Sequence, residues 1–132
     1  MSHILLAEDD EAVRSFVKRA LELDGHTVIA EEDGAAAAAS LARADGAFDL
    51  ILSDIKMPVM DGIAFALVAG RDYPDVPILL MTGFADQRER ASGLDALVHD
   101  VVVKPFSLAE IRRAVHDAVH GIVREEERRL YA

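Results

Sequence analysis

A chain of 132 residues, 52% apolar and 29% charged, reads as one domain, large enough to bury a core and too apolar for disorder. Zero cysteines exclude a disulfide framework and a thiolate metal site. A formal charge of −10 argues against nucleic acid phosphates and anionic lipid as partners.

The opening MSHILLAEDD places acids straight after a few apolar residues, too short and wrongly flanked for a signal peptide. No segment approaches membrane-spanning length, so a cytoplasmic location is expected. His3 to Ala7 reads as a buried strand that stops at Glu8, Asp9 and Asp10. Ala12, Val13, Phe16, Val17, Ala20, Leu21 and Leu23 then recur at helical spacing, and Asp24-Gly25 ends that helix. Thr27 to Ala30 is a brief strand, Glu31 to Gly34 a turn, and Ala35 to Ala44 an alanine-rich helix formed by propensity.

Phe48 to Gly62, FDLILSDIKMPVMDG, is the stretch around which the chain is organised. Its apolar run reads as a strand buried on both faces, which leaves Asp54 at the carboxyl end of a central strand. In an open parallel sheet, ligands and chemistry collect at that edge. Pro58 and the Asp61-Gly62 pair mark a loop before a third helix, Ile63 to Val68 or a little beyond. Past a proline-bounded loop at Tyr73 to Pro77, Ile78 to Met81 is another buried strand, ending on Thr82 and Gly83. Asp86 and Glu89 resemble a capping box for a fourth helix to about Ser92, and Val98 to Val103 is a last strand before Lys104-Pro105. Ser107 and Glu110 cap a fifth helix with Leu108, Ile111, Ala114, Val115, Ala118 and Val119 as its apolar stripe. Residues 1–121 are expected to form the domain, and 122–132 a tail or helix extension in which Glu125 and Arg129 stand at helical pairing distance.

Strand and helix alternating five times implies a parallel α/β sheet covered on both faces. The strand ends then bring Asp9 and Asp10, Asp54, Thr82 and Lys104 to one edge. Clustered carboxylates repel unless a divalent cation neutralises them, and all-oxygen ligation favours magnesium over zinc. A carboxylate beside such a metal can attack a phosphoryl group, with a lysine and a hydroxyl to hold its oxygens.

ILLAEDD, LSDIKMPVMDG, LLMTG and VKPF, in this order and spacing, closely resemble the response-regulator receiver domain of two-component signalling. The resemblance, from about Ile4 to Val119, implies a doubly wound five-stranded parallel sheet of flavodoxin-like order 2-1-3-4-5. It implies Asp54 as phosphoacceptor and Mg²⁺ held by Asp9, Asp10, Asp54 and the backbone carbonyl of Lys56. Thr82 becomes the switch hydroxyl, Lys104 the phosphoryl-binding cation, and Lys104-Pro105 a cis peptide. The expected donor is a histidine kinase or histidine phosphotransfer protein, and the chain takes part in its own phosphoryl transfer and hydrolysis without being an enzyme.

VRSFVKRALELDGH, FADQRERASGLDALVHD and VKPFSLAEIR further resemble the CpdR group, stand-alone receivers that deliver substrates to the ClpXP protease under a cell-cycle phosphorelay. That resemblance implies the ClpX unfoldase and protease substrates as partners, with the unphosphorylated form binding them. The expected contact face includes the charged run Asp86, Arg88, Glu89 and Arg90. Where most receivers carry Tyr or Phe three residues before the lysine, this chain has Val101, whose stiff χ1 cannot supply an aromatic switch. Switching is then expected through Thr82 and the loop from Gly83 to Asp86, with Phe84 as a possible cover. Other readings within the family are a chemotaxis or motor-type regulator and a phosphorelay intermediate. A haloacid dehalogenase-type phosphatase would want an acid where Lys56 stands, and an FMN module would be repelled by Glu8-Asp9-Asp10.

Overall fold

The computed structural model describes residues 2–83 and 97–122. The expected fourth helix, the charged run within it, Phe84 and the tail pair Glu125 and Arg129 lie outside the described residues. In chain order the elements are β1 (His3–Ala7), α1 (Glu11–Leu23), β2 (Thr27–Glu31), α2 (Gly34–Arg43), β3 (Leu50–Asp54), α3 (Gly62–Asp72), β4 (Ile78–Thr82), β5 (Asp100–Val103) and α4 (Leu108–Val119). The five strands are all parallel, in the order β2-β1-β3-β4-β5.

Every residue of β3 and of β4 is buried, which is why these strands are continuous apolar runs rather than alternating ones. Their side chains divide by parity between two cores. Leu5, Ile51, Ile78 and Leu80 pack with Leu41 of α2 and Phe65 of α3 on one face. Ile4, Leu6, Leu52 and Leu79 pack with Val17 of α1 and Ile111 and Val115 of α4 on the other.

Helix ends follow local chemistry. Asp10, Asp33, Asp61 and Ser107 are N-caps whose side chains accept backbone N–H bonds from the first turn. Ser107 and Glu110 form the full reciprocal capping box. Gly25 takes a φ of +91° just after α1, where a side chain would be strained.

Some boundaries and stripes differ from expectation, β2 running on to Glu31 and α2 starting at Gly34 where a turn was expected. α3 runs to Asp72, beyond Val68, because Phe65, Ala66 and Ala69 carry the buried face on past the first two turns. β5 starts at Asp100; Val98 is buried in the core, and ladder bonding begins only as His99 donates to the Ile78 carbonyl at 2.7 Å. Phe16 and Leu23 of α1 stay exposed, as does Leu108 at the first position of α4, since the apolar stripe is wider than the arc the sheet covers. No described helix is long and apolar enough to cross a membrane.

Candidate functional site

The strand register builds the site. β1 pairs with β3 from Ile4–Leu50 to Ala7–Ser53, so one residue further on Glu8 comes beside Asp54. β4 pairs with β5 up to Thr82–Val103, and the Lys104 N–H donates to the Thr82 carbonyl at 2.7 Å. Residues from four parts of the chain thus meet at the carboxyl edge of the sheet.

Carboxylate oxygens of Glu8, Asp9 and Asp54 lie within 4.8 Å of one another. Glu8 and Asp54 are buried, and Asp9 opens to solvent. Asp10, expected in the acid pair, stands elsewhere: its side chain caps α1, accepting from the N–H groups of Ala12 at 2.9 Å and Val13 at 3.1 Å. The acid pair beside Asp54 is therefore Glu8 and Asp9. Arg14, which the sequence reading did not single out, braces them by donating to the Glu8 carbonyl at 2.8 Å and the Asp9 carbonyl at 3.4 Å.

Lys104 reaches across from the end of β5. Its Nζ lies 2.5 Å from Glu8 Oε1 and 3.4 Å from Asp54 Oδ1. Asp54 Oδ1 also accepts the Ile55 N–H at 3.0 Å. Thr82 is fully buried at the end of β4. Lys56 is an exposed loop residue two positions past Asp54, and Val101 is partly buried against the core shared with α2 and α3. The Lys104-Pro105 peptide is cis.

Burial dominates the electrostatics. It pushes the Glu8 carboxyl up to about 7; the Lys104 hydrogen bond pulls the other way, and neighbouring Asp54 adds to the rise. Asp54 is also raised, again chiefly by burial. Burial alone would lower the Lys104 ammonium, but Glu8 and Asp54 outweigh it and hold it above its ordinary value. The acids share one cation that holds them together but does not fully neutralise them. Three hard oxygen donors converging with one open side suit a small divalent cation that keeps some of its water, as Mg²⁺ does.

The loop after Asp54 is fixed by close backbone approach. A Cβ at Gly62 would lie 2.0 Å from the Asp54 carbonyl oxygen, and one at Gly34 would lie 2.4 Å from the Met60 carbonyl oxygen. Only glycine fits at both. The Gly62 N–H donates to the Ile55 carbonyl at 2.7 Å and the Gly34 N–H to the Met60 carbonyl at 3.1 Å. Between them Val59, 84% exposed, takes a φ of +69°, an outlier for a β-branched residue.

The family model of the response regulator receiver domain matches residues 4–116. The chain belongs to the response regulator receiver family. This receiver is 36% identical to the response regulator MprA of Mycobacterium ulcerans over 108 residues, 82% of this chain and 46% of the relative. It thus spans under half the length of the curated relatives it matches. Among solved structures it is similar to the chemotaxis response regulator CheY4 of Vibrio cholerae, with 28% identity, a TM-score of 0.80, and coverage of 89% of this chain and 98% of that one. It is also similar to the receiver domain of a sensor histidine kinase of Pseudomonas aeruginosa, at 30% identity and a TM-score of 0.79, covering 90% and 98% of the two chains. That neighbour holds a magnesium ion in its active-site cleft. The α/β architecture and strand order expected from the motifs are those observed.

Proposed function

We propose that this receiver accepts a phosphoryl group on Asp54, with Glu8, Asp9 and Asp54 holding Mg²⁺ and Lys104 binding the transferred group. The observation that carries this reading is the convergence of three carboxylates and one lysine on the end of a buried central strand. In the chemistry, an Asp54 oxygen attacks the phosphorus of a phosphohistidine, and the bond to the histidine nitrogen breaks. Mg²⁺, when bound, neutralises charge on the carboxylates and the phosphoryl oxygens. Lys104 leaves Glu8 to pair with a phosphoryl oxygen, and the Thr82 hydroxyl donates to another. The Lys56 backbone carbonyl is proposed as a further metal ligand on the family resemblance alone. A histidine kinase or histidine phosphotransfer protein is the proposed donor.

Output follows from a difference in affinity between the two phosphorylation states for some partner. The finer reading is a ClpXP adaptor in cell-cycle control, in which the unphosphorylated form engages the unfoldase and its substrates. It rests on the motif resemblance to the CpdR group. A chemotaxis-type regulator is the second reading, favoured by the likeness to the Vibrio protein. Val101 supports a switch carried by Thr82 rather than by an aromatic ring.

Phosphoramidate with Mg²⁺ should add one phosphoryl mass to the intact protein, and EDTA or Asp54→Ala should abolish it. Unchanged incorporation in Asp54→Ala would remove Asp54 from its role. Unfoldase binding should survive Asp54→Ala and weaken on phosphorylation; tighter binding by the phosphorylated form would favour the chemotaxis-type reading.

A further inference from the structure

Far along α4 from the phosphoacceptor edge, a groove of about 560 Å³ opens between that helix and the turn joining α1 to β2. His116 and His120 line it, one helical turn apart, the spacing at which two histidines on one helix face chelate one metal. Their rings lie 4.3 Å apart, tilted by 33°. Both side chains are exposed.

One outer bond fixes the tautomer of His120. His120 Nδ1 lies 2.8 Å from the His116 carbonyl oxygen, which can only accept, so Nδ1 carries the proton and Nε2 keeps its lone pair. His116 Nδ1 lies 3.6 Å from Asp117 Oδ1, a neighbouring charge beyond hydrogen-bond reach. Ligating histidines commonly donate their other ring N–H to a backbone carbonyl, as His120 does. His26 also lines the groove, but its Nδ1 accepts the Ser2 N–H at 3.2 Å, which puts its proton on Nε2 and removes it from the donor set.

Among the described residues, the two arginines that line the groove are paired with carboxylates. Arg112 is held by both Asp24 oxygens, at 2.7 and 2.6 Å, and Arg113 lies 3.9 Å from Asp117 Oδ2. The site also sits at the carboxyl end of α4, where the last carbonyls favour positive charge. Neutral imidazole donors select borderline ions such as zinc, nickel and copper over magnesium.

We propose that His116 and His120 form a second metal site, for a divalent transition ion, with water completing the coordination. It does not depend on phosphorylation of Asp54. The test is calorimetric titration of the untagged full chain with Zn²⁺ in excess Mg²⁺, with imidazole nitrogen resonances followed in parallel. One equivalent should bind, the Nε2 resonances of His116 and His120 should shift, and both effects should be lost in His116→Gln and in His120→Gln, with the thermal midpoint of the metal-free variants unchanged. Glu8→Gln should leave them intact. Zn²⁺ binding that survives both histidine variants, or that disappears in Glu8→Gln, would overturn the proposal.

Discussion

Glu8 makes the metal-free receiver sensitive to alkali. Its carboxyl titrates at an ordinary 4.5 when exposed and at about 7 when folded, mainly because it is buried. Between those pH values the folded chain holds a proton that the unfolded chain has released. Unfolding free energy therefore falls as pH rises, and the loss is complete above pH 7. At about 1.4 kcal/mol per pH unit, the loss is roughly 3 kcal/mol, a large part of the stability of an ordinary domain. Glu8→Gln keeps an oxygen for Lys104 but cannot ionise, so it should remove most of that slope. What remains comes from Asp54, raised in the same direction, and from His26, whose imidazole is pushed down by burial and which therefore adds stability as pH rises. Urea unfolding at pH 5 and pH 8 in EDTA measures both proteins. A Glu8→Gln protein that loses as much stability between these pH values as its parent would refute the reasoning. Saturating Mg²⁺ should restore about 2.7 kcal/mol to the parent at 100 times its dissociation constant.

Gly62→Ala would push a methyl group to 2.0 Å from the Asp54 carbonyl oxygen, so we expect a loss of about 3 kcal/mol or more and little phosphoryl incorporation by intact mass. Lys104→Met leaves Glu8 and Asp54 without their shared cation; the metal-free protein should lose about 1–3 kcal/mol at pH 8. The same change removes the ammonium that competes for Glu8, so Mg²⁺ should bind up to about tenfold tighter by calorimetry, a gain of about 1.4 kcal/mol. Val59→Asn places a residue that tolerates positive φ in the loop and should raise stability by about 1 kcal/mol, read as a higher thermal midpoint.

Much of the fold was legible because it is written locally. Leu50 to Leu52 and Ile78 to Met81 are unbroken apolar runs, the mark of strands covered on both faces, and Ser107 with Glu110 announces α4 by capping chemistry alone. Asp54, Thr82 and Lys104 end their runs, so the edge they share followed from alternation. The acid pair did not. Glu8, Asp9 and Asp10 are chemically alike in a row, and only the pairing of Ala7 with Ser53 tells which acid falls opposite Asp54. That register was available by counting back from the two strand ends, and Asp10 was already marked by its position one residue before α1. Arg14 was hidden because its contacts are to backbone carbonyls, which no residue pattern reports. The approach of Gly34 to Met60 joins elements far apart in sequence, and no local signal encodes it.

That approach makes α2 a mechanical support for a site to which it lends no reactive group. Met60 is pinned on Gly34 and, two residues on, Gly62 is pinned on Asp54, so a side chain added at position 34 would be felt at the phosphoacceptor through a short rigid strut. Loss-of-function alleles are therefore to be expected at the head of an alanine-rich helix that looks, residue by residue, replaceable. A genetic screen that sorted such alleles by surface position would assign them to a partner contact, when what they break is the seat of Asp54.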